Sequence, residues 1–201
     1  MVVTRRSRNK VIAAKFQDIL FKHWLTEKKT ADGAFEFLLK SHRAHIFEIF
    51  DNLEIWVSFV TKLDKGDDYK TIFSVLKKRL EGRELANIIY DAGEVGRTAL
   101  LARKLEQELW LSQGENAEGI FNLLHLNDAE TALFKKRDLA TWVSYVTKLD
   151  AKNADEIIFS VLNPPYTQKD FAAMLTAAKK VEKTEDLAIK LEKLFVQSLG
   201  K

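Results

Sequence analysis

The chain has 201 residues, 46% of them hydrophobic and 30% charged, with two prolines and eight glycines, a balance that suits one or two domains with a buried core. A net charge of +3 is too mild to argue by itself for a nucleic-acid partner. No run of 18 apolar residues is present to span a membrane, no signal-peptide pattern is legible, and without cysteine there is neither a disulfide nor a thiol nucleophile.

In chain order, "TRRSRNK" comes first and gathers Arg5, Arg6, Arg8 and Lys10. Such a cluster suits a nuclear address or a phosphate-binding arm, but no aromatic residue is interleaved to stack on bases, and a solvated helix end is the preferred reading. A helix is predicted from about Asn9 to the pair Trp24-Leu25, followed by a second, "GAFEFLLK", which carries Phe35 and Leu38. His42, His45 and Glu48 follow at a spacing of three, on one helical face where they could hold a metal. A solvated face is preferred, because nothing in the second half of the chain repeats the trio.

The string "WVSFVTKLD" lies on the clearest helix. Leu53, Trp56, Val60 and Leu63 are spaced 3, 4 and 3 apart and form one apolar stripe, with Phe59 beside it. Lys65-Gly66-Asp67-Asp68 breaks the pattern, and "DDYKTI" then has an aromatic, two residues and an aliphatic after acids, the form of peptides that dock on autophagy ubiquitin-like proteins. A helix start, with the acids at the positive dipole end, is the preferred reading. Lys77, Lys78, Arg79 and Arg83 make a basic group, and breaks follow at Gly93 with Gly96 and at Gln113-Gly114.

From there the chain repeats itself. "WVSYVTKLD" at Trp142 to Asp150 lies 86 residues after its counterpart, and Leu139, Trp142, Tyr145, Val146 and Leu149 restate the stripe. At this offset Trp24-Leu25 falls on Trp110-Leu111, Phe35 on Phe121, Leu38 on Leu124 and "IFSVL" on itself; roughly a third of aligned positions agree, most of them apolar. "TEDLAIKLEKLF" begins with a capping Thr184 and two acids. The expectation is an all-α chain with an 86-residue period and about five short helices per unit. Residues 1–25 read as the last helix of a truncated preceding unit, 26–111 as the first complete unit, and 112–201 as the second and C-terminal one.

These motifs resemble the LWY tandem-repeat branch of the RXLR effectors of Phytophthora, oomycete proteins delivered into host cells. "GAFEFLLK" and "EGIFNLLHL" resemble its L motif, "LEIWVSFVTKLD" and "LATWVSYVTKLD" its W motif, and "ELANIIYDAGEVGRTALLARKLEQELWL" and "DFAAMLTAAKKVEKTEDLAIKLEKLF" its Y motif. The last departs from the family, since Leu109 and Phe195 stand where a tyrosine is expected. The resemblance implies helical units joined head to tail into a rod. It also implies a non-enzymatic protein that is secreted, enters the host cytoplasm or nucleus, binds a host protein and suppresses immunity. In some members the partner is the core enzyme of protein phosphatase type 2A, scaffold and catalytic subunits together; other members suppress RNA silencing.

Site expectations follow. The two stripes, Trp56 and Trp142 included, are assigned to the core rather than to interaction hot spots. Trp24, Leu25, Phe35, Leu38, Trp110, Leu111, Phe121 and Leu124 are assigned to junctions between units. Lys77, Lys78, Arg79 and Arg83, confined to one unit, are the candidate partner surface, although a solvated face is the commoner outcome for such a group. No catalytic residue, cofactor or metal is assigned. The leading function is recruitment of a phosphatase scaffold, and the alternative is a nucleic-acid or silencing-related binder acting through the basic groups.

Overall fold

A computed structural model describes residues 5–39, 46–64, 68–80, 82–96 and 98–200. The all-α class holds. The described elements are α1 (Arg5–Thr26), α2 (Ala31–Leu39), α3 (Ile46–Leu63), α4 (Asp68–Arg79), α5 (Gly82–Glu94), α6 (Ala99–Gln113), α7 (Ala117–Leu123), a 3-10 helix (Asn127–Lys135), α8 (Arg137–Leu149), α9 (Ala154–Leu162), α10 (Gln168–Ala178) and α11 (Glu185–Leu199). The chain divides into two compact units, Met1–Glu108 and Leu109–Lys201.

Local chemistry accounts for the helix ends. Thr30 Oγ1 accepts from Gly33 N at 3.1 Å, and Asn116 Oδ1 accepts from Gly119 N at 2.7 Å, so α2 and α7 begin on equivalent caps. Thr167 caps α10 through Asp170 N at 3.2 Å while its hydroxyl donates to Asp170 Oδ2. α4 opens on Asp68 and closes on Lys77, Lys78 and Arg79, each charge placed to suit the helix dipole. After α1 and α6 the chain turns through the left-handed region, at Lys28 (φ 52°) and Gly114 (φ 74°). The bonds Lys29 N to Trp24 O and Glu115 N to Trp110 O close both turns in the same way.

Each unit has its own core. In the first, Trp24, Trp56, Phe59, Val60, Ile72, Leu76 and Leu85 are almost wholly buried. In the second, Trp142, Tyr145 and Phe171 lie among Ile120, Leu133, Leu162 and Leu191. Leu63 and Leu149, expected in these cores, are instead 42% and 39% exposed. Each is the last residue of its helix, where the apolar stripe runs past the packed segment. Leu53 is half-buried, whereas Leu139 is buried.

Thr184 also differs from expectation. It stands at the start of α11 but makes no side-chain cap; its hydroxyl donates backwards to Ala178 O at 2.7 Å. Thr98 does the same to Ala92 O at 2.6 Å, so both threonines staple the turn between two helices rather than cap the second.

Candidate functional site

The duplicated tryptophans are held by the same bonds. Trp56 Nε1 donates to Ala31 O and Trp142 Nε1 to Ala117 O, each at 2.7 Å and each across 25 residues. Phe35 meets the Trp56 ring edge-on at 5.1 Å, and Phe121 meets Trp142 at 5.0 Å. With both indoles fully buried and their N–H groups satisfied, neither is available at the surface.

The residues assigned to junctions fall into two sets. Trp24 is buried against Phe59 at 4.9 Å and Phe37 at 5.7 Å within the first unit. Trp110 is buried against Tyr145 at 5.3 Å within the second, where the Tyr145 hydroxyl donates to Glu115 O at 2.6 Å. Phe35 and Phe121 are buried; Leu38, Leu111 and Leu124 are half-buried; Leu25 is exposed. Val196, at the place of Trp110 in the last helix, is exposed.

The basic group does not act as one. Arg79 grips Asp32 with both ends of its guanidinium fork, Nε to Oδ1 at 2.8 Å and Nη2 to Oδ2 at 2.7 Å, and reaches Glu36 Oε1 at 3.3 Å. Lys78 adds a contact to Asp32 at 3.2 Å. These bonds tie α4 to α2, so Arg79 is a structural clamp rather than an open partner contact. The hydrogen bonds from Arg79 hold the Asp32 carboxyl down to about 2, while the paired carboxylates raise the Arg79 guanidinium above its ordinary value. Lys77 and Arg83 remain exposed, Lys77 above the Phe73 ring at 5.8 Å. With Lys78, which is exposed although tied to Asp32, they are the part of the group presented outward.

Sequence reading missed the clamp because its acids lie 43 to 47 residues upstream on another helix. The one available signal was that Asp32 and Glu36, four apart, share a face of α2. Lys179 to Glu192, at 2.6 Å, is a similar unforeseen tie between α10 and α11.

Other candidates recede. His42 and His45 lie outside the described residues, as does the side chain of Glu48; the side chains of Arg5, Arg6, Arg8 and Lys10 lie outside them too. Among the described residues no group of three or more His, Cys, Asp or Glu could hold a metal. Among them, no helix is long and apolar enough to cross a membrane. Ile72, the aliphatic position of the docking-peptide pattern, is fully buried in the core, and the pattern is the first turns of α4.

Taken together, the arrangement defines a helical protein of two compact units whose repeated side chains serve packing, with charge differing between units at the surface. Comparison with known proteins places it further. No family model matches the chain. An RxLR effector named PSR2 from Phytophthora sojae is 27% identical over 94% of the chain, and PexRD25 from Phytophthora infestans is 27% identical over 88%. The crystal structure of PcRxLR12 superposes with a TM-score of 0.59 and 30% identity, covering 90% of this chain and 44% of that one. The chain is thus a homologue of the RxLR effectors of Phytophthora, consistent with the LWY resemblance. It spans 29% of the length of the Phytophthora sojae relative.

Proposed function

We propose that the chain is a non-enzymatic module of a secreted virulence effector that works inside the host cell by binding a host protein, and that the partner is the core enzyme of protein phosphatase type 2A. The observation that carries this reading is the homology to RxLR effectors over nearly the whole chain. The disposition of side chains supports it. The four tryptophans are buried and the indole N–H groups of Trp56 and Trp142 are satisfied within the cores, so the residues shared by the two units are spent on packing and charge differs between them. That is the economy of a scaffold whose recognition is displayed on a packed frame.

Within that reading, Lys77 and Arg83 contact an acidic surface of the partner, and Arg79 keeps α4 in place beneath them. Affinity capture from plant extract followed by mass spectrometry tests the proposal. Phosphatase scaffold and catalytic subunits should be recovered by the wild-type chain and lost with Lys77→Glu/Arg83→Glu. Recovery of RNA or RNA-binding factors in their place, in a salt-sensitive manner, would transfer the assignment to the silencing-related reading.

The exposed face of α1 bears on domain organisation. Phe16 and Ile19 are 69% and 64% exposed, while Ala102 and Leu105, their counterparts in α6, are 3% and 4% exposed. This pattern supports the reading of residues 1–25 as the closing helix of a preceding unit.

A further inference from the structure

Between α3, α4, α5 and α6 the first unit holds a cavity of about 380 Å³ that opens to solvent, within the roughly 300–1,000 Å³ span of small-molecule sites. Its wall is aliphatic, with Leu53, Val57, Ile88 and Leu105 among the lining residues, and its polar members are Glu54, Ser58 and Thr98. The Thr98 hydroxyl is already committed to the carbonyls of Ala92 and Val95, at 2.6 and 3.0 Å.

The second unit closes the same place. Leu139, Met174 and Ala178, which align with Leu53, Ile88 and Ala92, are 2%, 5% and 3% exposed and belong to the packed core. Their first-unit counterparts are only half-buried. Aromatic packing also differs between the units. Phe171 gathers Phe195 at 5.4 Å, Phe159 at 6.1 Å and Tyr166 at 6.2 Å, drawing α9, α10 and α11 together. Leu85, Leu109 and Leu80 align with Phe171, Phe195 and Tyr166, and of these rings only Phe73, the counterpart of Phe159, has been kept. The half-buried state of Leu53, Ile88 and Ala92 accompanies this smaller set of rings.

We propose that this cavity is a binding site for a small, uncharged, mainly apolar molecule of up to about three rings. An aliphatic wall disfavours an ionised ligand, and the Glu54 carboxylate in it disfavours an anion further. Apolar cavities of even smaller volume take up benzene-sized ligands. The site is separate from the exposed charges of α4 and does not depend on the phosphatase reading.

Titration of the intact chain with the neutral fluorophore N-phenyl-1-naphthylamine tests this. A saturable fluorescence rise and a higher melting temperature are expected for the wild type. Both should be lost in Ala92→Phe, which fills the cavity from its wall. Ser58→Phe keeps the test decisive if a core variant unfolds, because Ser58 is an exposed residue lining the cavity. Absence of a saturable rise in the wild type overturns the proposal, as does an undiminished rise in a helical, cooperatively melting Ser58→Phe chain.

Discussion

The two units share an anchor and differ in how it is surrounded. In both, an indole donates to the backbone of the first helix after the turn, a phenylalanine meets it edge-on, and a second tryptophan packs against the ring that follows three residues later. Around that constant centre the first unit adds an ion-pair clamp between α2 and α4, and the second adds an aromatic cluster between α9, α10 and α11. Where Lys78 and Arg79 clamp the first unit, the second has Pro164 and Pro165, which can make no such pair. The difference teaches that the tryptophan-bearing helix carries the fold, while the helices around it are fastened by whatever chemistry is locally present.

Removing the anchor should break the comparison most severely. Trp56→Ala or Trp142→Ala leaves a large void and removes the indole's bond to the neighbouring helix, and should cost about 3–5 kcal/mol. Hydrogen exchange should show the loss concentrated in the unit that carries the substitution. Equal deprotection of both units would mean that the anchors are not independent.

The fastenings should matter less. Phe171→Leu converts the centre of the second unit's aromatic cluster to the residue at Leu85 and should cost about 2 kcal/mol in denaturant unfolding. A smaller change would show that α10 and α11 are held chiefly by their aliphatic contacts and by the Lys179–Glu192 pair. Lys28→Gly has the opposite sign. It gives the turn after α1 the residue found after α6, relieves a left-handed backbone, and should stabilise the first unit by about 1 kcal/mol. Differential scanning calorimetry would register that gain as a higher melting temperature.

Much of this architecture was legible beforehand. Trp56, Val60, Trp142 and Val146 sit at helical spacing, and their burial follows from that spacing alone. The ends of the stripes were not legible, because periodicity says which face a residue occupies and not where covering helices stop; Leu63 and Leu149 fall beyond that edge. Thr184 looked like a cap because threonine before two acids usually is one, yet the Ala178 carbonyl at the end of α10 competes for the same hydroxyl. The basic group read as a surface because its acids are remote in sequence. Only the fold brings Asp32 beneath Arg79 and separates Arg79 from Lys77.

That clamp has a pH signature. Asp32 is held at about 2 in the folded unit, below its ordinary value of 3.8, so its contribution is complete above the unfolded value and is lost as pH falls through the folded one. Asp150, lowered by hydrogen bonds from Asn153, acts in the same direction in the second unit. Melting temperature should therefore fall between about pH 4 and pH 2, and Asp32→Asn should flatten part of that fall while lowering stability at neutral pH. An unchanged acid profile would show that the Arg79 clamp contributes nothing to folding.

The smallest effect on stability is expected where the largest effect on function is proposed. Lys77 and Arg83 are exposed and lie outside the clamp, so Lys77→Glu/Arg83→Glu should move the melting temperature little, within about 0.5 kcal/mol per site. Arg79→Glu, one residue along, places a third carboxylate against Asp32 and Glu36 and should destabilise the first unit visibly. The pair of variants separates two meanings of one basic run. If host-protein capture is lost in both but stability falls only in Arg79→Glu, recognition belongs to the outward charges and positioning to the clamp. If Lys77→Glu/Arg83→Glu captures its partner as well as wild type does, recognition lies on another face, and the charges confined to α4 and α5 are a solvated surface above a structural ion pair.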